Sequence, residues 1–183
     1  MKTESNLVYI LRLTVTLLII TALVAAALAG VNAITKPLIE AIKEQKTQAA
    51  IEAVLPGGGA PVDSYTDESG IVQAVYASDT GYAIQVAPSG FSGSIVMMVG
   101  VSKDGAVLGV SIISQSETAG LGAVAAANTS AGESFRQQFT GSSGELAVSK
   151  DGGTIDAITS ATITSRAVVT GVNAAIACAA SLG

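Results

Sequence analysis

The chain has 183 residues, a formal net charge of −5, one Cys and neither His nor Trp. Without His it lacks the commonest acid/base group and the commonest metal ligand, and Cys178 alone makes neither an internal disulfide nor an iron–sulfur cluster. No basic cluster or aromatic platform argues for nucleic acid, so any redox work falls to an organic cofactor.

With four Tyr and three Phe in all, the core has to come from Val, Ile, Leu and Ala. Cys178, among Ala and Ile, reads as one more small buried hydrophobe. Residues 13–31 carry no charge, a run long enough to cross the roughly 30 Å hydrocarbon layer as a helix. Ala27-Leu28-Ala29 before Gly30 resembles a signal-peptidase site, which is the competing reading; the length favours a retained anchor. Lys2 and Arg12 precede the span and Lys36, Lys43 and Lys46 follow it, so the positive-inside count does not orient it. The cleavage-like end favours export of the larger part. The expectation is a single-pass protein of the plasma or inner membrane with an extracytoplasmic C-terminal domain.

Residues 35–55 read as a second helix, a stalk or packing element. Thr35 is its expected cap and Pro37 falls in its first turn, where a missing N–H does no harm. Leu38, Ile42, Ala49, Ala53 and Val54 recur near helical spacing, and Pro56-Gly57-Gly58-Gly59 stops the helix. From residue 71 the period changes to that of strands. Segments 71–77 and 82–87 fit strands, and 94–102 and 106–114 flank Lys103-Asp104-Gly105, a strong hairpin signal. Residues 115–122 read as a loop. Residues 123–139 read as partly helical with a break near Gly132, and 146–148 and 154–158 as short strands around Asp151-Gly152-Gly153. A last helix is expected from about Ala161, with Ala161, Val168, Val172, Ile176 and Ala179 as its apolar face. The predicted class is α+β: residues 1–31 as N-terminal segment and transmembrane helix, 32–59 as stalk helix and Gly-rich turn, and 60–183 as a small mixed domain with antiparallel hairpins.

Just before the last helix the chain reads D-A-I-T-S-A-T-I-T-S-R, from Asp156 to Arg166. Thr159, Ser160, Thr162, Thr164 and Ser165 crowd a helix start, where a hydroxyl serves as an N-cap and where a phosphate is also favoured by free amides and the helix dipole. Arg166, one turn after Thr162, is in reach of the same anion. These residues alone leave both readings open.

The stretch resembles the D-x-x-(S/T)-G-A-T motif of proteins that carry FMN through a phosphoester to the final Thr, a bond made by a dedicated flavin transferase. Asp156, Thr159, Ala161 and Thr162 match; Ser160 stands in place of Gly, a departure that matters if the position needs positive φ. Residues 114–122, S-Q-S-E-T-A-G-L-G, resemble H-x-E-T-P-G-L-G of the Rnf-complex G subunit. Glu117, Thr118, Gly120, Leu121 and Gly122 match, His is absent and Ala119 replaces Pro. The stretch from Phe91 to Val101 and that from Ser134 to Gly141 are also similar to that family, which the chain resembles in order from anchor to terminal helix. The related C subunit of the sodium-pumping quinone reductase shares both motifs but is typically longer.

The resemblance implies an anchored electron-transfer subunit of a ferredoxin–NAD oxidoreductase coupled to ion movement, with covalent FMN on Thr162 and no complete reaction of its own. Its partners would be other membrane subunits of the complex and, during maturation, the flavin transferase. Thr164 and Ser165 would hydrogen-bond the phosphate beside Ser160 and Ala161. Glu117, Thr118, Leu121 and Gly122 would contact the ring, and Asp156 would belong to acceptor recognition. No residue is assigned a catalytic or metal-binding role. Two other readings stand beside this one: an anchored extracytoplasmic binding or adhesion domain without cofactor, and a secreted flavoprotein cleaved at Ala29.

Overall fold

The computed structural model describes residues 3–63, 65 and 70–183; Lys2 of the charge count lies outside them. Helix α1 runs Thr3–Val54 without the expected interruption. Thr35 does not cap a second helix. Its hydroxyl donates to the Val31 carbonyl at 2.6 Å, one turn back, so the side chain is satisfied inside the helix. Thr14, Thr16 and Thr21 bond back in the same way. Pro37 lies within the helix, where it has no amide to donate to the carbonyl one turn back. Pro56 and the glycines after it do end the helix, as predicted.

The chain divides into two compact units, Met1–Gln45 and Lys46–Gly183. In the first, residues 6–34 are exposed throughout, and α1 is long and apolar enough to cross a membrane, with a mean hydropathy of 2.4 over its best window. The boundary between the units has a packing reason. Ala50, Ile51 and Val54 of α1, with Leu55 just after it, are buried with Ala83 and Met98 of the sheet, so these last turns belong to the second unit.

That unit is built on a five-stranded antiparallel meander: β1 (Ala60–Val62), β2 (Val72–Ala77), β3 (Gly81–Val86), β4 (Val96–Ser102) and β5 (Val107–Ser114). β2 to β5 follow the predicted strands, and Lys103-Asp104-Gly105 turns β4 into β5. β1 was not predicted; three residues with a central Pro carry little strand signal, and an edge position tolerates the missing amide. The pairings Ala83↔Gly100 and Ile84↔Val99 separate the two faces by the period-two rule. Ala83, Met98 and Gly100 face α1. A Cβ at Gly100 would collide with the Val54 carbonyl, so glycine there lets the end of α1 settle on the sheet. On the other face Ile84, Val86, Met97 and Val99 pack with Val168, Val172 and Ala175 of α3 (Thr162–Leu182).

Helix α2 (Ser130–Gln137) closes the core with Phe135, whose ring meets Phe139 edge to face at 5.5 Å. The expected break near Gly132 lies earlier. A 3₁₀ turn spans Gly122–Ala126, and Thr129 caps α2 by accepting from the Gly132 amide, which places Gly132 in its first turn. The two predicted strands at 146–148 and 154–158 shrink to one parallel bridge, Val148↔Ile155. A 3₁₀ turn at Ser149–Asp151, closed by Gly152 at φ +86°, takes up the chain between them.

Candidate functional site

Three segments meet at the N-terminal end of α3: the turn around Phe91, the loop holding Glu117 to Gly122, and residues 160–164. They line a cavity of about 320 Å³, within the usual size of a small-molecule site. Its floor is held by Glu117, which is 8% exposed. One carboxylate oxygen accepts from the Ser92 amide at 2.9 Å and the other from the Thr164 hydroxyl. The Glu117 amide in turn donates to Gln115 Oε1 at 2.5 Å. One side chain therefore ties all three segments together. Gly122 is needed beside it, because a Cβ there would stand 2.6 Å from Glu117 Oε2 and strike Thr164.

The hydroxyls divide differently from expectation. Helix α3 begins at Thr162 with Ala161 as its N-cap and no side-chain cap, so none of the five hydroxyls caps it. Ser165 is fully buried. Its oxygen accepts from the Ile158 amide at 2.9 Å and donates to the Ala161 carbonyl at 3.0 Å, which fastens the loop onto the helix. Thr164 is likewise engaged, its hydroxyl donating to Glu117. In both, the proton satisfies a buried acceptor. The first helical amides, from Thr162 to Thr164, lack intrahelical acceptors by the geometry of any helix start.

Of the five, Ser160 and Thr162 remain as hydroxyls on the cavity that are not buried, and Thr162 is the one at the first helical position. It is half-buried on the cavity wall, and Lys150 Nζ donates to its Oγ1 at 3.2 Å. Arg166 does not turn toward Thr162. Its Nε and Nη2 hold Asp151 at 2.7 and 2.5 Å. This fork lowers the Asp151 pKa through the hydrogen bond to Arg166, and raises that of Arg166 in return.

Ser160 occupies the left-handed region, φ +61°, the conformation for which Gly is favoured. Asp156 and Thr159 are exposed and face a separate cavity of about 580 Å³ beside α2. The Asp156 backbone is pinned there by Gln138, which accepts from its amide at 2.7 Å and donates to its carbonyl at 3.2 Å. The structure thus brings Glu117, Thr118, Leu121, Gly122, Ser160, Ala161, Thr162 and Thr164 to one cavity and leaves Asp156 and Ser165 off it.

Phe91, Ile163 and Lys150 were missed as site residues. Phe91 is 68% exposed and Ile163 51%, large apolar groups left at the cavity rim. For Phe91 the signal was an aromatic set between Gly90 and Ser92-Gly93, in a turn with no core to enter. Lys150 gave no signal, since nothing local in the sequence joins it to Thr162. A flavin mononucleotide needs an apolar wall for its ring and donors for its phosphate. Phe91, Leu121 and Ile163 fit the first; Lys150 and the open amides of α3 fit the second.

A family model described as FMN-binding domain matches residues 90–177, a span that contains all three cavity segments. The chain is 34% identical to the G subunit of the Na⁺-translocating ferredoxin:NAD⁺ oxidoreductase complex of Acetobacterium woodii, over 96% of this chain and 94% of the relative. It is 33% identical to the G subunit of the ion-translocating oxidoreductase complex of Erwinia tasmaniensis, over 86% and 84%. The corresponding figures for the protein of the same name from Methanosarcina acetivorans are 29%, 91% and 93%. The chain carries an FMN-binding domain. It belongs to the family formed by the G subunits of ion-translocating oxidoreductase complexes.

Proposed function

We propose that this chain is a membrane-anchored electron-transfer subunit of an Rnf-type ferredoxin:NAD oxidoreductase coupled to ion movement, and that its FMN is bound covalently through a phosphoester to Thr162. The observation that carries the site is the meeting of an accessible hydroxyl, a lysine ammonium and an uncapped helix start at the wall of a cavity rimmed by Phe91, Leu121 and Ile163. FMN, when bound, supplies the electron chemistry.

The chain's own residues bind and orient. Thr162 Oγ1 takes the phosphate, the first-turn amides of α3 face its remaining charge, and the apolar rim shields the ring from water. Glu117 holds the cavity floor in register by bonding both neighbouring segments. A covalent tether also suits an exported carrier, because FMN lost outside the cytoplasm is not readily regained. We assign α1 to a single membrane crossing, the domain to the extracytoplasmic side, and the neighbouring contacts to other subunits of the complex, with a flavin transferase acting during maturation.

In-gel flavin fluorescence after denaturing electrophoresis tests this. The band is fluorescent when the full chain is made beside the transferase, and dark for Thr162→Ala or without the transferase. A dark wild-type band under the same conditions contradicts the covalent linkage.

A further inference from the structure

Lys150 and Asp151 are neighbours on the turn Ser149–Asp151, but their charges have different fates. Asp151 is occupied by the two-pronged fork from Arg166, so the cation one helical turn beyond Thr162 is already neutralised. Lys150 makes no ion pair among the described residues. Its Nζ is spent on the neutral oxygen of Thr162, 3.2 Å away. The turn that carries it is fixed at both ends: the Ser149 amide donates to the Ile155 carbonyl at 2.7 Å and the Asp151 amide to Val148 at 2.8 Å.

An esterified phosphate keeps one negative charge, and charged partners strengthen a hydrogen bond about twofold over neutral ones. Thr164 and Ser165 have no proton to offer it, because both donate to buried acceptors. Of the charged side chains placed here, Lys150 alone is unpaired and within reach of the acceptor oxygen. We infer that Lys150 is the counter-ion of the phosphodiester on Thr162, a positioning residue presented by the turn that the Asp151–Arg166 fork braces. The inference rests on the reading that Thr162 carries the flavin phosphate.

The test uses the full chain made beside a flavin transferase, as wild type, Lys150→Gln, Lys150→Arg and, as a remote exposed control, Lys103→Gln. Intact mass reports loading; phosphorus NMR and melting curves at low and high ionic strength report the environment of the phosphodiester. In loaded Lys150→Gln the phosphorus resonance shifts from the wild-type position. The salt-sensitive part of the stabilisation gained on loading is lost. Lys150→Arg and Lys103→Gln match wild type. Loading that fails in Lys150→Gln but persists in Lys150→Arg supports the same conclusion. A loaded Lys150→Gln with wild-type resonance and salt response overturns the counter-ion role while leaving the flavin reading intact. Loading lost equally in Gln and Arg variants also overturns it, since charge is then not what the position supplies. An unmodified wild-type chain overturns the flavin reading itself, and is seen in the mass before any variant is compared.

Discussion

Ser160 is the one non-glycine residue with positive φ among the described residues, at 61°. A left-handed conformation costs an L-residue about 1–2 kcal/mol, partly offset in a Gly variant by the greater freedom of its unfolded chain. Ser160→Gly is therefore expected to stabilise the domain by about 0.5 kcal/mol, and Ser160→Val to destabilise it by about 1 kcal/mol or more. Denaturant midpoints of the two variants check this, and a Gly variant weaker than wild type would contradict it. At Asp151 the prediction concerns pH. The hydrogen bond from Arg166 holds the carboxyl below its usual 3.8, so the fork's contribution is fully present above that value and is lost as pH falls through the lowered one. An NMR titration of the Asp151 carboxyl should show the depressed midpoint in wild type and a normal one in Arg166→Gln.

Among the elements, the start of α3 and the loop of residues 115–122 stand or fall together through Glu117. Glu117→Ala leaves the Thr164 hydroxyl and Ser92 amide without acceptors, an expected cost of about 2 kcal/mol or more. Gly122→Ala forces a methyl into the Glu117–Thr164 contact and should cost about 1–3 kcal/mol. Both are read from shifted denaturant midpoints, and a neutral result in either would contradict the stitched floor. How legible these elements were follows from how local their signals are. The hairpin at Asp104-Gly105 and the alternation of β2 to β5 lie in adjacent residues and were read closely. The role of Glu117 rests on partners 25 and 47 residues away, and that of Lys150 on one 12 away, separations that no window of sequence spans. The hydroxyl cluster misled for the same reason: Thr164 and Ser165 look like caps until their buried acceptors are known. Thr35 failed as a cap because its preceding carbonyl lay within a helix that had not ended.

For the molecule as a whole, one helix serves two surroundings. Its last turns bury Ile51 and Val54 under the sheet, while residues 6–34 are exposed and rich in apolar side chains. A protein with such a stretch should stay with the membrane pellet through alkaline carbonate washing and be released only by detergent. Recovery in the wash would contradict the anchor. Helix α3 also has the length and composition of a span, but more than half of its most apolar 18-residue window is buried, which fits its place in the core. The α+β class and its order of elements were legible because they depend on composition and period. The unit boundary at residue 45 was not, since it depends on which helical face meets the sheet.

The most direct measurement is mass spectrometry of the tryptic peptide covering residues 151–166, cut after Lys150 and Arg166, from chain made beside a flavin transferase. The expected result is a gain equal to one FMN less one water, localised by fragmentation to Thr162. A peptide of unmodified mass, or the same gain on another of its hydroxyls, would contradict it.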